Sequence, residues 1–350
     1  MRHEKRPARG NGRARAARAA RAITTPVALL LVLAQGPLAS PASPQEPRPD
    51  PASSPLDPSA LARIPLDGAH RADIAQALEA GAYDRAETLL LEAVERQPAS
   101  PDLLRLLGGV LFLRGRALNA AVALKKAEAL APLDERSRFT LAMAYVSLGR
   151  RDWARPELQK LASEAPRNPL YVYWTSRLDY DDGQYAAAVQ GFLRAIALDP
   201  ASAKAHDNLG LSYEALGRSD EAIRSYQEAA RLTREQKTKW PWPALNLGLA
   251  LSRTDRTDEA EAQFRAALED DPRFAQGHYQ LGVLLERRGR LEDAAAELVE
   301  AARLDPAYPE PHYALARLYR RRGETDRADG ALREFQRLKT EKGQASAAPR

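Results

Sequence analysis

Between regularly placed turn residues, the apolar positions of this chain recur three and four apart, which is the period of an amphipathic helix and not of a strand. The breaks are periodic too. Counted in units of 34 from Asp67, with Lys237–Trp240 set aside as one insertion, alanine stands at the twentieth place of all eight units: Ala86, Ala120, Ala154, Ala188, Ala222, Ala260, Ala294 and Ala328. Glycine holds the fifteenth place in seven, from Gly81 to Gly323, with Asp255 the exception. Proline holds the thirty-second place in six (Pro98, Pro132, Pro166, Pro200, Pro272, Pro306) and alanine the twenty-seventh in six. The seventh and eighth places read Leu107-Gly108, Leu209-Gly210, Leu247-Gly248 and Leu281-Gly282.

Each column has a mechanical reason. Glycine at the fifteenth place suits a left-handed residue closing a first helix. Proline at the thirty-second place ends a second helix and opens the next unit. Small residues at the eighth and twentieth places let the two helix backbones approach. No such hairpin buries its apolar face alone, so neighbours must stack, and a fixed period of this length marks a helical repeat array.

The columns resemble the tetratricopeptide repeat. Unit five shows it most fully, with Ala203 to Tyr213 followed by Gly217, Ala222, Tyr226 and Ala229. The resemblance implies an all-α fold: a right-handed superhelical solenoid of antiparallel helix pairs, with first helices lining a concave side where such families hold peptides or partner domains. Eight repeats are expected at 67–100, 101–134, 135–168, 169–202, 203–236, 241–274, 275–308 and 309–342. The departures are Asp73-Ile74 in unit one, Thr175-Ser176 in unit four, and Thr340 in place of the closing proline of unit eight. The insertion adds about one helical turn. It predicts that the second helix of unit five runs on through Gln236 and Lys239 until Trp240-Pro241-Trp242-Pro243 stops it. Two readings of that motif stand, a tryptophan lid on a longer helix and a dedicated contact site.

Residues 1–34 combine Arg2, Lys5, Arg6, Arg9, Arg13, Arg15, Arg18 and Arg21 against Glu4, then an apolar run Val27–Leu33 and Ala34. This pattern predicts a secretory signal peptide, with an uncleaved N-terminal anchor as the alternative. The run falls short of the ~20 residues of a spanning helix. Residues 35–66 hold nine prolines and predict an extended tether, with a short helical turn between Ser59 and Ile64 against unit one. Residues 343–350 are expected to be disordered. The formal charge of +5 misleads as a whole, because the leader carries +7 and the rest −2. A nucleic-acid surface needs a basic face on the folded part, and this balance argues against one. The absence of cysteine excludes disulfides, thiol catalysis and cysteine zinc sites.

Four histidines (His70, His206, His278, His312) share the fourth place of their units, a whole repeat or more apart, and predict packing between the two helices and no metal site. No phosphate loop, nucleophile elbow or dinucleotide fingerprint is present, so neither an enzyme nor a cofactor is expected. The candidate binding residues lie on the second, fifth, sixth, ninth, twelfth and thirteenth places of the first helices, taken as one stripe. It carries Phe112, Phe139, Tyr173, Trp174 and Tyr180 in units two to four, read either as core or as apolar anchors. An amide row, Asn208, Asn246 and Gln280, is suited to gripping the backbone of an extended peptide because amides both donate and accept. An arginine row, Arg253, Arg287 and Arg321, with Arg317 and Arg320 beside the last, is read as a solvated face or as a dock for an anionic segment.

The expected function is a non-enzymatic scaffold that binds a protein segment in its groove, periplasmic or secreted, or anchored to the inner membrane if the leader is retained. The bacterial envelope is the expected setting, with a role in secretion, pilus or outer-membrane assembly. The alternative is an assembly module that associates with itself or docks through convex or terminal surfaces.

Overall fold

A computed structural model describes residues 55–347; the expected leader and most of the proline-rich linker lie outside them. Every helix or strand element among the described residues is helical. A 3-10 turn, Pro58–Arg63, precedes sixteen α-helices in eight hairpins. The hairpins are α1 (Gly68–Glu79) with α2 (Tyr83–Arg96), α3 (Pro101–Leu113) with α4 (Ala117–Leu130), α5 (Glu135–Ser147) with α6 (Arg151–Glu164), and α7 (Pro169–Asp181) with α8 (Tyr185–Leu198). The second half comprises α9 (Ala203–Ala215) with α10 (Ser219–Glu235), α11 (Trp242–Arg253) with α12 (Thr257–Asp270), α13 (Ala275–Arg287) with α14 (Leu291–Leu304), and α15 (Pro309–Arg321) with α16 (Thr325–Ala347).

The columns do what their chemistry demands. The eight alanines of the twentieth place are almost completely buried. The seven glycines of the fifteenth place have φ between +64° and +78°, and Asp255 takes the same left-handed turn at +58°. At the eighth place, a Cβ on Gly210 would stand 2.5 Å from the Tyr226 ring and one on Gly248 2.6 Å from Phe264, so the aromatic of the second helix seats directly on the first-helix backbone. Unit four reverses the arrangement. Ser176 holds the eighth place, and the room comes from Gly191 opposite, whose added Cβ would meet the Ser176 hydroxyl. First helices of units one to five are N-capped by Asp67, Ser100, Asp134, Asn168 and Ser202.

Neighbouring units are also tied by charge. In unit one the buried Glu87 accepts from Arg114 and Arg116 of unit two, and in unit six Glu261 accepts from Arg288 and Arg290 of unit seven, at the same places of the repeat. Between units three and four the signs are exchanged, Arg155 bridging to Asp179 and Asp182.

Three expectations change. α10 is about one turn longer than the other inner second helices, as expected, but it does not run on: Lys237, at φ +53°, closes it, and the Thr238 N–H bonds back to Thr233 O at 3.1 Å. The helix therefore stops at Glu235, before Lys239, and the tryptophan–proline motif starts α11 without ending α10. Trp240 covers a cavity of about 50 Å³ beside Thr233, Ala244 and Asp270, while Trp242 packs edge-on against Phe274. At the C-terminus α16 continues to Ala347, through the residues expected to be disordered up to that point, since no proline stands where Thr340 does. At the other end the expected short turn forms, at Pro58–Arg63, but the packing of the linker begins before it. Leu56, Ala60, Leu61 and Ile64 are buried against the array.

The direction of curvature follows from which helices meet. First helices of successive units touch at α3–α5, α7–α9, α9–α11, α11–α13 and α13–α15, and second helices show no comparable approach. The first helices therefore form the inner wall of the array.

Candidate functional site

The structure divides the predicted stripe into three lines with different partners. The fifth and sixth places face along the array into the seam between adjacent first helices. The Tyr173 hydroxyl at a fifth place accepts from Asn208 Nδ2 at the next sixth place (3.2 Å), and Asp207 Oδ1 accepts from Asn246 Nδ2 (3.0 Å). Asn208 is saturated: its Nδ2 also donates to Lys204 O (2.9 Å) and its Oδ1 accepts from Arg177 Nη1 (3.0 Å). Asn208 is buried, so the expected backbone grip on a peptide is spent on the protein itself. Gln280 differs for a visible reason. Its fifth-place neighbour in unit six is the buried, apolar Leu245, and the Gln280 side-chain amide, partly exposed, has no hydrogen-bond partner among the described residues.

The same seam accounts for the aromatics. Phe139, Tyr173 and Trp174 are at most 9% exposed and are core residues in the free protein, not accessible anchors. Tyr173 packs on Trp174 and Phe192 with ring centroids 5.5 and 5.7 Å apart, and Phe139 packs on Tyr171. Phe112 and Tyr180 are partly exposed, Tyr180 lying against Tyr185 and under the Arg177 guanidinium.

The twelfth and thirteenth places form a ladder. Arg253 pairs with Glu214, Arg287 donates to the Ser252 hydroxyl (3.1 Å), and Arg321 reaches Glu286 (3.4 Å), each arginine meeting the twelfth-place residue of the preceding unit. Glu286 is buried and also receives Arg317, so two guanidiniums share one carboxylate. Arg320 lies 3.8 Å from Asp329. The row keeps its exposure, but its charge is largely answered.

The ninth place remains. Leu211, Leu249 and Val283 occupy it on the touching helices α9, α11 and α13, packed against the core on one side and partly exposed on the other. At fifth places toward the C-terminus, the partly exposed Tyr279 packs on Tyr308 and the half-exposed Tyr313 on Phe335. These five were missed in the sequence, although the frame that located the arginines also locates the ninth-place run.

The electrostatics are sharpest at Asp207. Burial pushes its carboxyl up to about 7, against the lowering effects of the Asn246 hydrogen bond and Arg177, and with Glu214 adding to the rise. At the fourth place, His278 Nδ1 lies 2.6 Å from Glu297 of the paired helix, which raises its pKa, and His70 Nε2 lies 3.2 Å from Leu89 O of its paired helix, whereas burial lowers the pKa of His206 and His312. Among the described residues no group of acids and histidines is arranged to hold a metal, and no helix is long and apolar enough to cross a membrane.

Models of the tetratricopeptide repeat match residues 76–135, 177–217, 201–273, 245–309 and 312–345. The chain belongs to the tetratricopeptide-repeat family. Searching curated protein sequences finds no match. Among solved structures, the chain is similar to the anaphase-promoting complex hetero-tetramer Cut9–Hcn1, with a TM-score of 0.58 at 17% identity over 70% of this chain and 48% of the other. It thus spans about half the length of that relative. A tetratricopeptide-repeat protein from Parabacteroides merdae gives a TM-score of 0.56 at 18% identity over 71% and 94% of the two chains. PilW, a type IV pilus biogenesis factor, gives 0.53 at 19% identity over 58% and 92%. At these identities the likeness concerns the fold. Tetratricopeptide-repeat arrays are protein-interaction scaffolds, typically without catalysis of their own.

Proposed function

We propose that this tetratricopeptide-repeat protein holds an extended protein segment against the inner wall of units five to seven, with no catalytic step. The observation that carries the reading is the ninth-place line of Leu211, Leu249 and Val283, an apolar strip flanked by the unspent amide of Gln280 and the exposed Arg253 and Arg287. An apolar strip bordered by polar donors is what a segment with alternating side chains requires: the strip takes the side chains facing the wall, and the amide and guanidiniums take carbonyls or acids at the edge. The setting we propose is the bacterial envelope. The basic, then apolar, N-terminal segment supports export, and the likeness to a pilus biogenesis factor is compatible with an assembly role there.

A photoactivatable residue placed at Leu249 tests this in cells. Cross-links to another protein from Leu249, absent from the same residue placed at Val299, which is exposed on the second helix α14, support the inner wall. The reverse pattern makes the convex surface the docking face and the assembly-module reading the better one. Light scattering of the purified chain adds whether the partner is a second copy.

A further inference from the structure

The ninth place of unit two is covered by the chain itself. Its residue is Gly109, and the chain's own upstream segment lies on it. A Cβ on Gly109 would stand 2.5 Å from the Pro55 carbonyl oxygen and 2.8 Å from Leu56 Cδ2, so the missing side chain is a notch that admits this segment. The strap is gripped through its backbone. Arg136, at the second place of unit three, donates to the Leu56 carbonyl, and Arg71, at the fifth place of unit one, donates to the Ile64 and Leu66 carbonyls, both at 3.0 Å. Its apolar side chains Leu56, Leu61 and Ile64 are buried, while Ser59 and Arg63 between them are exposed.

A cap on a solenoid shields its terminal repeat, and each repeat touches only its neighbours. This strap spans three units, entering beside unit three and leaving at unit one, along the inner wall. Hydrogen bonds to its main chain and pockets for its spaced side chains are how a protein recognises an extended peptide, and this segment has both. We propose that Pro55–Ile64 is a resident ligand of the groove in units one to three. A partner segment entering there must carry a leucine-type side chain for the Gly109 notch and free backbone carbonyls for Arg71 and Arg136, and it must displace the strap. The proposal rests on the first-helix wall being a binding surface.

The test uses the full chain and a fluorescent peptide with the sequence of residues 53–66. A tethered segment competes at an effective concentration of order millimolar, so the wild-type chain should bind the peptide weakly. Leu56→Asp releases the strap and leaves the notch intact; it should bind at least tenfold more tightly than wild type. Gly109→Val expels the strap but fills the notch; its strap amides should exchange freely, yet it should not bind the peptide. Arg136→Ala combined with Leu56→Asp should weaken the peptide severalfold relative to Leu56→Asp alone. Binding that is equal in all variants or absent from all overturns the proposal. So does hydrogen exchange in which Leu56→Asp melts α1 and α2 along with the strap, which makes the segment a fixed part of the fold. Neither outcome touches the Leu249 cross-link, which reads units five to seven.

Discussion

Asp207 makes the seam between units five and six sensitive to pH, and replacing it with asparagine should abolish that sensitivity. The carboxyl is buried, it faces Asn246 across the seam, and burial lifts its pKa from 3.8 in the unfolded chain to about 7. The folded state therefore binds the proton more tightly than the unfolded state. The sign follows from linkage: the associated stability is fully present below pH 3.8 and is lost progressively as pH rises to about 7, beyond which the loss levels off. Within that window each pH unit costs about 1.4 kcal/mol, so moving from pH 5 to pH 8 should destabilise units five and six by about 2–3 kcal/mol. An asparagine side chain at this position keeps an oxygen to accept from Asn246 Nδ2 and carries no charge. Asp207→Asn should therefore show little of this dependence and should be the more stable protein at pH 8.

A global melt is a poor assay, because long repeat arrays depart from two-state unfolding. Native-state hydrogen exchange of α9 and α11 at pH 5 and pH 8, corrected for intrinsic exchange rates, reads the affected seam, and the distant units one and eight serve as internal controls. Equal pH responses in wild type and Asp207→Asn would refute the reasoning. So would an asparagine variant that is less stable at pH 8, which would mean that the charge of Asp207 is held by Arg177 strongly enough to outweigh its burial.

Other outcomes follow from the same geometry. Ala222→Leu should cost roughly 1–3 kcal/mol by overpacking a fully buried helix crossing, with loss of exchange protection confined mainly to units four to six; uniform loss over the array would contradict nearest-neighbour stacking. Trp174→Ala should act on stability, by about 3–5 kcal/mol, whereas Leu249→Asp should leave circular dichroism unchanged and lower partner capture at least tenfold; the opposite pattern would move the site back to unit four. Arg287→Ala with Arg321→Ala should weaken capture at low salt and have little effect at high salt, since exposed charges are screened over about 10 Å at 0.1 M. If the leader is cleaved, Edman sequencing of the exported protein should begin between Gln35 and Pro44; a chain that retains Arg21 supports an anchor.

The hairpins were legible because their columns answer to backbone requirements. Ala222 is small because another helix lies on it, and Gly217 is glycine because its φ is +72°. Even the exception at Asp255 keeps the turn, aspartate being one of the few residues that tolerate this conformation. Of the strap only the short turn against unit one was legible; its path along units two and three was not, because proline content speaks for extension and says nothing about where an extended segment lies. The notch that receives it, Gly109, follows the eighth-place Gly108 and belongs to none of the repeat columns.

The groove was misread for a geometric reason. Adjacent places on a helix point about 100° apart, so the fifth and sixth places, or the twelfth and thirteenth, cannot both face a partner. In the structure each of these pairs reaches into the neighbouring unit: Asp207 to Asn246 and Glu214 to Arg253 at one junction, and Glu286 to Arg321 at another. Their chemistry sets how successive first helices are held, and therefore the curvature of the wall. The ninth place has no counterpart across the seam in units five to seven and is free to meet something else. Changes at Asp207 or Asn246, the pair that closes the seam, should accordingly alter the pitch of the array and act on any partner indirectly, through the shape of the groove. Changes at the exposed side of Leu249 or Val283 should act on the partner directly, with a smaller cost where these side chains also pack on the core. A protein that must keep one curvature while adapting to different segments would vary the ninth place and hold the seam constant.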